Sequence, residues 1–250
     1  MKIIIVGAGI AGLRAGLELA PAHEVTILEK SSGVGGRIAS RRMGSVVVNH
    51  GAQEFQRGAW ILNGDPLAKK FETLLPLKAA ATDLPKALRD EFLRLGGVLR
   101  LKTRIKKLEG KTVTFEDGQS LSFDAAVLTS PVPQTREILA QAILPGIDYS
   151  KDIFLIGEKN SRPVIQKLPP QMAEELFELP DEDLRRSLPS EDRELDLKRW
   201  RYSRVKLGHP QAFYVHREDV VLAGDAFDPE GIYDIASAWV SGREAGRYFK

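Results

Sequence analysis

Apolar and polar positions change their period twice within the first thirty residues. Ile3 to Val6 form a continuous apolar run, the pattern of a parallel strand buried on both faces. Leu13, Leu17 and Ala20 then recur at helical spacing, and "EVTILE" (24–29) returns to a strand, so residues 1–29 read as one βαβ unit. Further on, "TDLPKALRDEFLRLGG" (82–97) predicts a helix. Thr82 or Asp83 caps it, Leu84, Leu88, Phe92 and Leu95 form its apolar stripe, and Gly96-Gly97 ends it. Residues 98–130 predict a β-meander of short strands, with turns at Glu109-Gly110 and Asp117-Gly118, closing in the buried strand "AAVLTS". Residues 134–144 read as a helix with Ile138, Leu139 and Ile143 on one side. Strands are predicted near 152–157, 162–168, 195–205 and 212–216, and "PDEDLRRSLPSEDRE" (180–194) as a solvated helix and loop. "VVLAGDAF" (220–227) predicts another buried strand and "IASAWVSGREAGRYF" (235–249) a closing helix. No repeats interrupt the pattern.

Composition narrows the chemistry. The 36 Lys and Arg nearly cancel the 34 Asp and Glu, so no whole-protein field points to nucleic acid, and "RIKK" (104–107) reads as a solvated strand end. The absence of cysteine rules out disulfides, thiolate metal ligands, redox dithiols and a flavin attached through sulfur. Redox chemistry therefore belongs to a cofactor. His209 and His216 lack metal-ligand spacing, so no metal is expected. The apolar N-terminus is broken by Gly7, Gly9, Gly12, Arg14 and Gly16 and lacks a cleavage pattern; with no other long apolar run, the expectation is a cytoplasmic protein without an integral membrane segment.

Gly7-Ala8-Gly9-Ile10-Ala11-Gly12 has the G-x-G-x-x-G spacing between strand and helix. Gly7 allows the tight turn, Gly9 lets the backbone approach a pyrophosphate, and Gly12 lets helix and strand pack closely. The phosphates would rest on the N–H groups and positive end of the helix. Glu29, at the end of the second strand, can accept both ribose hydroxyls. This fingerprint does not separate NAD from FAD. "GVGGRIASRR" (33–42) adds a glycine loop able to lie against phosphate or ribityl oxygens, with Arg37 as a planar cationic fork and Arg41 and Arg42 read as exposed.

With these residues the chain resembles the flavoprotein family of amine oxidases, phytoene desaturases and renalases. The resemblance rests on Gly7 to Gly12 with Glu29, on Gly35-Gly36-Arg37, and on Gly224-Asp225 ahead of "IASAWVSG". It implies a Rossmann-like FAD-binding α/β domain, a parallel sheet with an inserted β-meander, plus a small α+β substrate domain. The discontinuous FAD domain would span 1–55, 81–133 and 216–250, and the reduced substrate or cap domain 56–80 and 134–215. Within the family, "NHGAQEF" (49–55), "LTSPVPQ" (128–134) and "KRWRYSRV" (198–205) resemble the renalase-like group. By that resemblance Asp225 holds the ribityl chain, the backbone at Ile235 and Ala236 faces the flavin pyrimidine, and Ile105 meets the adenine edge. Ile10, Ala11, Lys30, Gly51, Ala52, Gln53 and Thr129 complete the implied contacts to a non-covalent FAD. Asn49 departs from an aspartate common in the family, and Tyr233-Asp234 from its small residues.

The resemblance implies an oxidoreductase in which a small reduced substrate, a dihydronicotinamide or an amine, gives a hydride to flavin and oxygen takes the electrons. Positive potential at the flavin pyrimidine would come from the N-terminus of the closing helix. No acid–base residue is assigned. His50 and Phe55 are placed toward the substrate, His50 acting through backbone contact or as a catalytic side chain. Trp200 and Tyr202 alternate on the predicted strand, sharing a face that either lines the substrate cavity or packs in the core. Trp239 reads as core. The stretch between Phe55 and the helix at 82 is short for the family, which leaves three readings: an open pocket wall, one completed by a second subunit in a homo-oligomer, or one too incomplete for turnover. The last makes the chain a flavin-holding module that acts with a partner. A desaturase acting on membrane lipids would need an amphipathic basic helix, which the sequence lacks.

Overall fold

The structure is a computed structural model that describes residues 1–44, 46–52, 64–74, 80–159 and 162–250. Its centre is a six-stranded sheet, and the opening βαβ unit builds the middle of it. Strand β1 (Lys2–Val6) leads into helix α1 (Ile10–Leu19), and strand β2 (Glu24–Leu28) returns parallel to β1. Alternation along β1 divides its apolar run between two cores. Ile3 and Ile5 pack with α1 and its neighbours, whereas Ile4 and Val6 pack on the opposite face.

The predicted helix at 82 is α3 (Asp83–Arg94), its N-cap Thr82 making no side-chain bond; Leu84, Leu88 and Phe92 are fully buried, while Leu95 packs partly exposed. A short helix, α2 (Pro66–Lys70), precedes it. The strand after α3, β5 (Val98–Arg100), leaves the predicted meander and joins the main sheet parallel to β2. The meander proper is β6 (Ile105–Glu109), β7 (Thr112–Phe115) and β8 (Ser120–Ser122); its Leu108, Val113 and Phe115 close the second core. Strand β9 (Ala125–Leu128) returns to the sheet beside β1. Strands β15 (Tyr214–Arg217) and β16 (Val220–Leu222) complete the order β15-β16-β9-β1-β2-β5, with β15 antiparallel.

Two further predictions are corrected. The helix expected at 134–144 is α4 (Val132–Leu139): Ala140 turns left-handed at φ 51°, and Arg136 Nε donates to the Ile143 carbonyl, tying the outgoing chain back to the helix. The strand expected at 195–205 divides into β13 (Asp196–Trp200) and β14 (Val205–Leu207), separated by a turn that carries Tyr202. β13 flanks β11 (Asp152–Lys159), whose other edge pairs with β12 (Arg162–Lys167), and β14 pairs with β10 (Asp148–Tyr149). Ile153, Leu155, Ala173, Phe177, Leu184 and Leu195 make a third core there, under α5 (Pro170–Leu176) and α6 (Asp181–Arg186). The loop predicted at 33–42 ends in strand β3 (Ser40–Met43), paired with β4 (Val46–Asn49), and Arg41 and Arg42 on it are exposed.

Helix α7 (Ile235–Tyr248) packs on α1 through glycine. A Cβ on Gly242 would lie 2.2 Å from the Ala11 carbonyl oxygen, and one on Gly246 3.1 Å from that of Ala15. The constant offset makes the two helices parallel. Beneath them Arg14, almost wholly buried, donates to Glu18 at 2.7 Å and to Asp65 at 3.1 Å, and the fully buried Trp239 donates its indole N–H to the same Asp65 oxygen at 2.9 Å. Among the described residues no helix is long and apolar enough to cross a membrane.

Candidate functional site

Three glycine-bearing turns meet at the C-terminal edge of the parallel strands. At the first, Gly7 has φ 104°, and a Cβ on Gly12 would lie 2.0 Å from the Gly7 carbonyl oxygen, so both positions demand glycine. Thr129 seats beneath this turn, its hydroxyl donating to the Val6 carbonyl at 2.8 Å. Gly9 is the N-cap of α1 and supplies no side-chain acceptor; no acidic residue occupies the first turn at Ile10, Ala11 and Gly12, and the space over Gly9 is open. The N–H groups of that turn are therefore left to an incoming anion.

The second turn leans on the first. Gly35 donates its N–H to the Ala8 carbonyl at 2.9 Å, and a Cβ on Gly36 would stand 3.4 Å from Gly9 Cα. Arg37 then reaches the third turn, where its guanidinium pairs with Asp225. Burial works against the Arg37 charge, and Asp225 outweighs it, holding the guanidinium above its ordinary value. Gly224 has open space over its Cα and donates its N–H to Ser241 Oγ on α7 at 2.9 Å. Behind the Gly-Gly-Arg loop, Ala52 donates to the Arg37 carbonyl at 2.8 Å, and a Cβ on Gly51 would strike that same oxygen.

Glu29 closes the opposite end. It is buried just after β2, and its two oxygens accept the N–H groups of Ala8 at 2.8 Å and Ser31 at 2.7 Å. Each oxygen keeps a second lone pair, which is what a ribose diol needs. Thr103 donates to the Glu29 carbonyl, bringing the start of β6 and the buried Ile105 alongside, while Lys30 is exposed and reaches Gln134 at 3.2 Å. An acid at one end, an uncapped helix with a cationic fork in the middle and open space over Gly9 and Gly224 form a groove whose residues fit an extended dinucleotide.

The far end carries a cap of its own. Ile235 and Ala236, both buried, begin α7, but the helix carries its own cap: Asp234 accepts the Ser237 N–H at 2.9 Å while Ser237 Oγ accepts the Asp234 N–H at 2.8 Å. Asp228 accepts the same hydroxyl. The Asp234 carboxylate thus takes the Ser237 N–H and offsets part of the positive potential of this helix end, while the Ile235 and Ala236 N–H groups lie outside the cap. The signal was present in the sequence as Asp234 three residues before Ser237.

Of the residues placed toward the substrate, Trp200 and Tyr202 do not share a face. Trp200 ends β13, donates its indole N–H to the His50 carbonyl at 3.1 Å, and sits 5.8 Å from the His50 ring. Tyr202 packs edge-on against Tyr149, 5.6 Å between centroids. His50 is buried with Nδ1 unpartnered, and burial first, then the nearby Lys198, depresses it to about 4, so the ring is neutral at pH 7. Gln53 and Phe55 lie outside the described residues. Asn49 serves the fold, its carbonyl oxygen accepting from Ser40 Oγ and the Ala81 N–H. Tyr149, which no sequence signal marked, lies under the Arg37 guanidinium; burial, then Asp225, raises its hydroxyl above the usual range.

A cavity of about 240 Å³ is lined by Pro133, Tyr149, Lys151, Arg201 and Tyr202. A larger one of about 470 Å³, between the β3–β4 turn and the third core, involves none of the glycine turns. Among the described residues no cluster of three His, Cys, Asp or Glu could hold a metal ion.

Comparison with known proteins gives two adjoining family matches. Residues 5–61 match an NAD(P)-binding Rossmann-like domain, and residues 72–151 match the flavin containing amine oxidoreductases. Among solved structures, a protein from Pyrococcus furiosus aligns at TM-score 0.58 and 16% identity, covering 99% of this chain and 97% of that one. An oxidoreductase from Methanosarcina mazei aligns at 0.59 and 11%, covering 94% and 99%. A fatty acid isomerase from P. acnes, described as producing CLA, aligns at 0.62 and 14%, covering 99% and 98%. At these identities the likeness is one of fold. The two family matches lie along the first two glycine turns and the strands that carry them, so these stretches are similar to an NAD(P)-binding Rossmann-like domain and to the flavin containing amine oxidoreductases.

Proposed function

We propose that the protein is a renalase-like FAD-dependent oxidoreductase that takes a hydride from a small reduced substrate, a dihydronicotinamide or an amine. The observation that carries this reading is the meeting of the three glycine turns around the uncapped N-terminus of α1, with Glu29 at one end and Asp225 at the other. A mononucleotide would leave half of that groove unused. FAD, when bound, supplies the two-electron acceptor for the hydride, with oxygen as the final acceptor. The chain's own part is to bind and orient: Glu29 for the adenosine ribose, the first turn of α1 and Arg37 for the pyrophosphate, Asp225 for the ribityl hydroxyls. Ile105, Lys30, Gly51, Ala52 and Thr129 line or support that path. The lack of cysteine supports the non-covalent mode by excluding attachment through sulfur. Segments 1–55, 81–133 and 216–250 would form the cofactor domain, with the substrate entering from the side of 134–215.

The test is to release the cofactor by heat from purified protein and identify it, then follow the flavin spectrum anaerobically with each donor. Bound FAD bleached by a dihydronicotinamide or an amine is the expected result. Protein carrying NAD, or an FAD that stays oxidised against the whole panel, overturns the reading.

The self-capped α7 supports a second reading, a flavin-holding module that turns over only with a partner, because its carboxylates oppose negative charge at the flavin edge. Rapid flavin reduction and oxygen consumption by a demonstrated monomer would dispose of it.

A further inference from the structure

The guanidinium of Arg37 stands where four parts of the chain meet. Nη2 pairs with Asp225. Nη1 reaches the main-chain carbonyls of Tyr202 and Ser203 at 3.4 and 3.5 Å, and Cζ lies 5.8 Å from the centre of the Tyr149 ring. The residue before it, Gly36, leans on Gly9 at the open end of α1. One cationic fork therefore serves an internal carboxylate and is carried by the loop whose backbone leans on the uncapped end of α1. Both side chains of the pair are largely buried, so leaving either charge unpartnered is costly, and a ligand phosphate that reached the guanidinium would compete with Asp225 for its charge.

We propose that the Arg37–Asp225 pair is an exchange latch that makes the groove selective for a dinucleotide whose pyrophosphate is followed by a chain of hydroxyls. The phosphates take the Arg37 fork, and the displaced Asp225 carboxylate regains its lost bonds only if the ligand offers hydroxyl donors on that side. ADP, which ends at the phosphates, breaks the pair and gets nothing back from Asp225. FAD, with its ribityl hydroxyls, satisfies both partners. No covalent step is involved. The inference rests on the dinucleotide reading above and deepens it, because it assigns selectivity to one ion pair.

The experiment titrates cofactor-free protein with ADP and with FAD by calorimetry, comparing wild type with Asp225→Ala and Asp225→Asn. Removing the internal competitor is expected to tighten ADP by about fivefold, the value of one modest ion pair. The same substitutions weaken FAD, so the FAD-to-ADP selectivity falls. Arg37→Gln weakens ADP, and adding Asp225→Ala to it no longer tightens ADP, since the competition has no object. If Asp225→Ala alters the melting curve, the nearly isosteric Asp225→Asn carries the test. Wild type binding both ligands while the variants leave ADP affinity unchanged, or lower it in step with FAD, overturns the latch alone. Wild type binding neither ligand overturns the dinucleotide reading and the latch with it.

Discussion

The two glycine-packed helices offer the same element twice, with opposite treatment of its positive end. α1 and α7 run parallel, with Gly242 level with Ala11. Ile235 lies seven residues before Gly242, so at about 1.5 Å per residue α7 begins roughly 10 Å beyond that level, on the same side. α1 starts at a glycine without a side-chain cap; α7 starts at Asp234 inside a reciprocal capping box, with Asp228 on the same serine. A helix end that lacks an internal partner is available to a ligand, whereas one that is capped from within contributes to stability. On the proposed function, binding falls to the α1 end and capping stability to the α7 end of two neighbouring helices.

The strongest way to break the comparison is to make α1 resemble α7. Gly9 has an extended backbone, φ −77°, and nothing stands over its Cα, so Gly9→Asp fits the fold and caps the helix. On the proposed function the new carboxylate would face the pyrophosphate, and like charges so placed cost several kcal/mol, so calorimetry should show FAD affinity reduced by about a hundredfold or more at an unchanged or raised melting temperature. Gly12→Ala acts on the fold instead. Its Cβ would meet the Gly7 carbonyl oxygen at 2.0 Å, and the backbone shift should cost about 2 kcal/mol in denaturant unfolding.

Smaller effects sharpen the same contrast. Asp234→Ala removes the α7 cap and should lower stability by about 1 kcal/mol, while Asp234→Asn, which keeps an acceptor, should lose only a fraction of that. The two histidines behind the helix ends give a pH version. His50 lies behind the Arg37 loop, and His209, whose main chain bonds Ala226 and Asp228, lies behind the loop leading to α7. Both are held below the ordinary value by burial, His50 to about 4. The unfolded chain takes up the proton first, so this stability is complete above about pH 6.5 and is lost as pH falls toward 4. Melting curves between pH 7 and 4.5 should therefore fall less steeply in His50→Gln than in wild type, with a weaker flattening in His209→Gln.

Much of this was legible from local pattern. Ile3–Val6, the helix stripe of α3, the glycine spacing at 7–12 and the acid at 29 each report a constraint contained in a few neighbouring residues. The apolar period reports a buried face, and a carbonyl 2.0 Å from a missing Cβ is a demand made by one turn. The Asp234–Ser237 cap is equally local, an acceptor three residues before a serine at the start of a helix. Other features carried no such signature. "VLR" at 98–100 has the residues of a meander strand, and it joins β2 only because α3 delivers it to that edge. Trp200 and Tyr202 lost their common face because a turn divides the apolar stretch after residue 200.

By itself, then, the order of residues determined the βαβ unit, the glycine turns and the main helices, and raised the expectation of a dinucleotide, since backbone sterics and side-chain period act over a few residues. Tertiary structure alone decided which partner each polar group takes. Arg37 meets Asp225 across 188 positions, Trp239 meets Asp65 across 174, and Tyr149 comes under the Arg37 fork. Such pairings depend on how separate elements dock, and the free energy of docking comes from the shared cores, which no short stretch of sequence contains.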